Sequence, residues 1–314
     1  MLQKQNPINA ILEDFNIVIL DGALATELEK YGCDLNDPLW SARVLLENPE
    51  LIYQVHLDYF RAGADCGITS SYQATIEGLK SRGLNEEEAV ELIKKTVLLA
   101  RKARDDFWER EAHLNRSKPF IAASVGPYGA YLADGSEYRG DYHVSDEMLI
   151  AFHRPRIEAL ISAGADIVAF ETIPSFQEAK ILGSLIQEFP DTHAWLSFTI
   201  QNEEKISDGT ALKECSRYFE ENEQIAAIGI NCASPSFVTR VVKEIAGQTD
   251  KPIIVYPNSG EVYESNSKTW QGNETCDEIV DGSKEWFQAG ARLIGGCCRT
   301  SPEEIERLYG KWRG

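Results

Sequence analysis

Ser162-Ala163-Gly164-Ala165-Asp166-Ile167-Val168-Ala169-Phe170-Glu171 holds the key to the fold. The small residues around Gly164 end a helix and reverse the chain. The four residues 167–170 form a short, uniformly apolar run, as expected of a strand buried on both faces. Glu171 then puts a carboxylate where that strand leaves the sheet. The turn recurs: Arg61-Ala62-Gly63-Ala64-Asp65 and Gln288-Ala289-Gly290-Ala291-Arg292 each close a helix and open a strand, an internal echo of one structural unit.

Working outward, apolar strands are expected at 17–20, 66–69, 120–125, 167–170, 194–199, 226–230, 253–256 and 292–294. Helices separate them. Asn48 and Pro49 open one that carries Ile52, Val55, Tyr59 and Phe60 at helical spacing and stops at Gly63. Asn85 opens a long one to about Trp108, with Val90, Ile93, Val97 and Leu98 as its apolar face. A third, over 145–163, is expected to bend at Pro155. Ser175 with Glu178 and Ser301 with Glu304 have the spacing of capping boxes.

Eight strands alternating with helices, with no composition break, predict an α/β fold: a single closed (β/α)8 TIM barrel domain over 1–314. The alternative is an open doubly wound sheet. That would want a glycine-rich fingerprint after the first strand, and Asp21-Gly22-Ala23 is no such fingerprint.

Lys and Arg total 31 against 50 Asp and Glu, a net charge of -19, which repels nucleic acid and anionic membrane surfaces. Nowhere do about 18 apolar residues run together, so no membrane span is expected. Residues 1–14 are polar and mixed, which predicts no secretory signal. The seven cysteines, Cys33, Cys66, Cys215, Cys232, Cys276, Cys297 and Cys298, are odd in number and sparse. That suits a reducing compartment, so a cytoplasmic protein is expected. Nothing in the sequence reports oligomeric state.

In a barrel, catalytic groups gather at the carboxyl ends of the strands. Those positions hold Asp21, Thr69 through Gln73, Gly126-Pro127-Tyr128, Glu171, Asn231-Cys232, Pro257-Asn258-Ser259 and Cys297-Cys298. Cys232 follows the sixth strand and Cys297-Cys298 the eighth. Strands about 4.8 Å apart would leave roughly 9 Å between those ends, too wide for straight strands to share a metal with bonds of about 2.3 Å. The loops must lean inward, and Gly295-Gly296 permits it. Three thiolates around one Zn2+ leave a fourth position open, as catalytic sites do. Two other readings stand beside this one: three unrelated core cysteines, and a vicinal Cys297-Cys298 disulfide. Cys33, Cys66, Cys215 and Cys276 read as structural.

Asp21 could cap a helix and Glu171 could be a solvated loop end. Together at one mouth, they suggest a site for the ammonium group of an amino acid. The long connections over 126–143, with Tyr128, Tyr131, Tyr138 and Tyr142, and over 257–275, with Tyr263 and Trp270, offer aromatic faces to a cation. His56 and His153 fall in helices and read as packing or surface residues.

The motifs Asp21-Gly22-Ala23-Leu24-Ala25-Thr26-Glu27-Leu28, Ser124-Val125-Gly126-Pro127-Tyr128-Gly129, Gly229-Ile230-Asn231-Cys232, Tyr256-Pro257-Asn258-Ser259-Gly260-Glu261 and Gly295-Gly296-Cys297-Cys298-Arg299-Thr300 closely resemble the zinc-dependent homocysteine S-methyltransferases. Asp134-Gly135-Ser136-Glu137-Tyr138-Arg139-Gly140 is most similar to the bacterial S-methylmethionine:homocysteine branch. The resemblance implies one Zn2+ on Cys232, Cys297 and Cys298, and homocysteine held near Asp21, Thr69, Glu171 and Asn231. In betaine-using relatives a tyrosine takes the free metal position; the matching residue here is Gln73, beside Tyr72. These two, with Tyr128 and Asn258, are the candidate open-site or donor-side residues. The implied reaction moves a methyl group from a sulfonium donor, S-methylmethionine or S-adenosylmethionine, to the homocysteine thiolate. Betaine- or selenium-specific transfer and a Cys297/Cys298 redox sensor are the alternatives.

Overall fold

The computed structural model describes residues 5–33, 41–111, 116–259, 262–264, 269–271 and 278–314. Cys276 and the side chains of Tyr263 and Trp270 lie outside the described residues. Eight parallel strands, β1 (Val18–Ile19), β2 (Cys66–Ile68), β3 (Phe120–Val125), β4 (Ile167–Ile173), β5 (Ala194–Phe198), β6 (Ile225–Asn231), β7 (Ile253–Tyr256) and β8 (Ala291–Ile294), each pair with the next in sequence from β2 onward. β8 pairs with β1, and the bridge between Leu20 and Cys66 brings β1 to β2. The ring is therefore closed, and the open-sheet alternative is excluded.

Alternation along each strand sorts the apolar side chains into two clusters. Leu20, Phe120, Ala122, Ile167, Ala169, Trp195 and Leu293 fill the barrel interior. Ile8 and Ile11 of the N-terminal helix Pro7–Leu12 join them. Ile19, Ile121, Ala123, Val168, Phe170 and Leu196 face the helices instead. Both faces of a strand are thus buried, which is why the runs are apolar throughout rather than alternating. The repeated turns use one device, since Gly63, Gly164 and Gly290 are all left-handed, with φ of 116°, 89° and 132°.

The β1–β2 join has a clamp of its own. Asp65 Oδ2 accepts hydrogen bonds from the Ile19 amide and from Arg313 of the C-terminal helix, each at 2.8 Å. Arg313 also donates to the Ile17 carbonyl at 2.7 Å. Among the described residues no helix is long and apolar enough to cross a membrane.

Two local expectations are corrected. Leu98 is 52% exposed, and Leu92, Thr96 and Ala100 take the buried stripe of the helix Glu86–Arg110. Ser175 Oγ accepts the Glu178 amide at 3.4 Å, but the Glu178 carboxylate does not return the bond, having stronger partners elsewhere. Asn85 with Glu88 and Ser301 with Glu304 do form reciprocal capping boxes.

Candidate functional site

The three thiols meet because β6 and β8 both fold over the end of the strand between them. The Cys232 amide donates to the Tyr256 carbonyl at 3.1 Å and the Cys297 amide to the Pro257 carbonyl at 2.7 Å. The Ser259 amide donates to the Cys298 carbonyl at 3.1 Å. Cys232 and Cys297 are thereby drawn to 5.6 Å between Cα atoms, well inside the gap expected of straight strands. Cys232 holds a left-handed φ of 49° to achieve this, and Arg299 one of 66°. Such strain in non-glycine residues is characteristic of functional sites.

The double glycine works by close approach rather than by left-handed backbone. A Cβ at Gly295 would lie 2.5 Å from the Leu20 Cβ, and one at Gly296 would run into the Thr300 side chain. All three sulfurs lie within 4.8 Å of one another. Cys297 and Cys298 Sγ are 4.0 Å apart, near the edge of about 3.8 Å in a tetrahedron with zinc–sulfur bonds of about 2.3 Å. The Cys232 and Cys297 sulfurs are in close contact, and Cys297 and Cys298 form no vicinal disulfide here. Burial pushes the Cys298 thiol up to about 12, so its thiolate form needs a cation beside it. The donor set therefore fits a thiophilic metal.

Glu171 lies within β4, not at its end, because the strand continues to Ile173 past a register shift against β5. Thr172 takes a φ of 62° at this irregularity, and a bulge of this kind re-aims the side chains around it. Glu171 accepts from the Ser124 hydroxyl and, at 3.1 Å, from the Tyr256 hydroxyl. Burial pushes its carboxyl up to about 7. Asp21 caps no helix: its Oδ2 accepts the Ile68 amide at 2.8 Å, and its Oδ1 is buried with no partner among the described residues. Burial raises its pKa well above the usual carboxylate range, and Glu171 adds to the rise. Two buried carboxyl groups thus stand at one mouth, with the charge of Glu171 disfavouring that of Asp21.

Thr69 Oγ1 accepts the Ser124 amide at 3.0 Å and lies 2.7 Å from the Ser71 hydroxyl. Asn231 is bonded to its neighbours through both ends of its amide. It accepts from the Thr172 amide and the Ser197 hydroxyl at 2.8 and 2.9 Å, and donates to Thr172 Oγ1 at 2.8 Å. Its side chain holds the left-handed Thr172 in place.

On the β2–β4 side, the Tyr72 ring packs against Gly126, where a Cβ would come within 2.6 Å of it. Its hydroxyl sits beside Thr172 and feels Tyr138, Glu137 and Glu171. Gln73 donates to the Ala130 carbonyl at 3.2 Å, and its buried Oε1 has no partner among the described residues. The Asn258 Oδ1 is likewise buried and unpartnered. Tyr128 clusters with Tyr131, Tyr142 and Phe152 at ring distances of 5.7, 5.7 and 5.0 Å.

Sequence reasoning missed Ser124 and Tyr256, the two hydroxyls on Glu171; their signal is a hydroxyl inside an otherwise apolar strand. It also missed a buried polar network. Glu178 Oε1 accepts the Tyr128 amide at 2.6 Å and pairs with His153 Nε2 at 2.7 Å, and Oε2 receives the Tyr142 hydroxyl. His153 Nδ1 lies 2.9 Å from Arg156, which donates to the Gly126 carbonyl. His56 is core packing: fully buried, it has a pKa pushed down to about 4.

The sequence pattern of the Homocysteine S-methyltransferase family matches residues 18–311. Homocysteine S-methyltransferase YbgG of Bacillus subtilis strain 168 is 56% identical over 304 residues, covering 96% of each chain. The crystal structure of the homocysteine methyltransferase MmuM from Escherichia coli in its metallated form superposes with a TM-score of 0.89 at 49% identity. It covers 98% of this chain and 100% of that one. Its oxidized form superposes at 0.90 and 50%, with the same coverage. With the cysteine cluster, the paired carboxyl groups and the closed barrel in place along this whole length, the chain belongs to the homocysteine S-methyltransferase family.

Proposed function

We propose that this chain transfers a methyl group from a sulfonium amino acid to homocysteine, with Cys232, Cys297 and Cys298 holding one Zn2+, in a reducing cytoplasm. The observation that carries the reading is the convergence of three thiols and two buried carboxyl groups at one end of the barrel. When bound, Zn2+ lowers the pKa of a thiol that is ordinarily about 8.5, so that the substrate sulfur is a thiolate at neutral pH. Three cysteinates carry one more negative charge than a divalent ion neutralises, which keeps that sulfur electron-rich.

Asp21, through its unpartnered Oδ1, and Glu171 receive the homocysteine ammonium, and Thr69 stands with them for the carboxylate end. Ser124 and Tyr256 aim Glu171, and Asn231 fixes the strained Thr172 beside it. The substrate thiol loses its proton, a sulfur–methyl bond forms, and the donor's carbon–sulfur bond breaks to release a neutral thioether. With S-methylmethionine as donor, both products are methionine. Positioning the two sulfurs in line supplies much of the rate.

The nearness of the three thiols adds one chemical consequence to this reading. Oxidation of any two of them would withdraw two of the three proposed metal ligands, so the assay is run with the cysteines reduced. The test is metal analysis of the reduced protein together with mass spectrometry of homocysteine incubated with S-methylmethionine, S-adenosylmethionine or betaine. Stoichiometric zinc and methionine formed from a sulfonium donor support the proposal. Protein without zinc, whose methyl transfer survives chelation, would refute it.

A further inference from the structure

Glu137 lies in the single turn Ser136–Tyr138, in the connection that follows β3. The turn is held by its backbone and neighbours, and Glu137 Oε2 takes no part in it. The Ser136 amide donates to Asp134 Oδ1 at 2.9 Å, the Gly140 amide to the Ser136 carbonyl at 2.8 Å, and Thr199 Oγ1, just past β5, to the Glu137 carbonyl at 3.0 Å. Gly129 lets the Ser136–Glu137 peptide come close, since a Cβ there would lie 2.7 Å from the Glu137 nitrogen. Arg139 is committed elsewhere, to Asp141 at 3.2 Å, the Asp134 carbonyl at 3.0 Å and Ser136 Oγ at 3.2 Å.

Glu137 is left half-buried, with Oε2 shielded from solvent and without a hydrogen-bond partner among the described residues. Burial, with Asp134 nearby, raises its pKa. A buried carboxylate oxygen without a donor is costly, and its retention calls for a ligand. Thr199, just past β5, ties Glu137 to the carboxyl end of the barrel, and Tyr72, which follows β2, feels the charges of both Glu137 and Glu171.

We propose that Glu137 receives the α-ammonium group of the methyl donor and so selects amino-acid sulfonium compounds over donors that lack an N–H. This rests on the methyl-transfer reading above. Asp21 and Glu171 are occupied by the ammonium of the acceptor, and a second amino acid brings a second ammonium that needs its own carboxylate. An N–H donor satisfies the free oxygen with a charge-assisted hydrogen bond. A sulfonium or quaternary ammonium centre carries hydrogen only on carbon and is met by aromatic faces instead.

The test compares S-methylmethionine with its deamino analogue, (3-carboxypropyl)dimethylsulfonium, as donors to homocysteine. Wild-type enzyme prefers S-methylmethionine. Glu137→Gln raises the KM for that donor by about tenfold or more, with the homocysteine KM and zinc content unchanged, and the preference between donors collapses. Glu137→Asp, which keeps the charge, retains part of it. Both variants keep a Tm within a few degrees of wild type, because Oε2 has no partner among the described residues and the turn is held by backbone bonds. The inference is overturned if Glu137→Gln weakens both donors equally, keeps the wild-type preference, raises the homocysteine KM instead, or fails to fold. If wild-type enzyme moves a methyl group from neither compound, the methyl-transfer reading falls and takes this role with it.

Discussion

Replacing Glu171 with Gln should make the empty protein more stable at alkaline pH while abolishing its hold on homocysteine. The carboxyl titrates near 4.5 in an exposed chain and is pushed up to about 7 in the fold, chiefly by burial. A raised carboxyl pKa means that the folded state keeps a proton which the unfolded chain has released. Its stability is therefore full below about pH 4.5 and is lost as the pH rises through about 7. At about 1.36 kcal/mol per tenfold difference in proton affinity, the wild type loses roughly 2.5 kcal/mol more than Glu171→Gln between about pH 5 and pH 8. Gln fits the site, because its carbonyl can accept from Ser124 while its amide donates to a Tyr256 hydroxyl turned towards Ser197. Urea unfolding of the reduced, metal-free proteins at the two pH values measures the difference. Homocysteine should restore the wild type at alkaline pH and leave the variant unmoved. Parallel pH–stability curves for the two proteins would refute the reasoning.

Cys232→Ser and Cys298→Ser should each lose zinc and methyl transfer together, checked by elemental analysis alongside the donor assay; full zinc in either variant would remove that residue from the ligand set. Gly295→Ala forces a Cβ against Leu20 and the Asp21 carbonyl, and should cost about 1–3 kcal/mol in urea unfolding while weakening zinc retention. Asn231→Ala strips three hydrogen bonds from a buried position and leaves the Thr172 amide without its partner. It should cost roughly 2–4 kcal/mol by the same measurement and lower kcat/KM for homocysteine.

What could be read from the sequence was local or periodic. The Ala-Gly-Ala turns, the caps at Asn85 and Ser301, and eight apolar runs each declare themselves within a few residues, and their order alone predicts the ring. Cys232, Cys297 and Cys298 could be found because a barrel places its strand ends together, so sequence position maps onto a common mouth. Leu98 misled because Val97 beside it is one step away on the helix and takes the buried position. The other misses depend on partners distant in sequence. Glu178 looks like a helix-capping residue until His153 and Tyr128 are brought to it. The bulge that places Glu171 inside β4 is a mismatch of register against β5, which no window of residues records. The free oxygen of Glu137 is defined by what fails to reach it.

Asp21 has a second attachment that changes how the site is to be understood. Its amide donates to the Cys66 carbonyl at 3.1 Å and its carboxylate takes the Ile68 amide, so it fastens the β1 end of the chain to β2. With the Asp65–Arg313 clamp, the Asp65 amide on the Ile19 carbonyl at 2.7 Å and the bridge at Leu20, these bonds help to hold the first and last-paired strands of the ring together. The carboxylate proposed to greet the substrate is thus also a latch on the hoop. On that proposal recognition and closure share one side chain, and a ligand that draws on Asp21 would pull on the joint that helps keep the barrel shut.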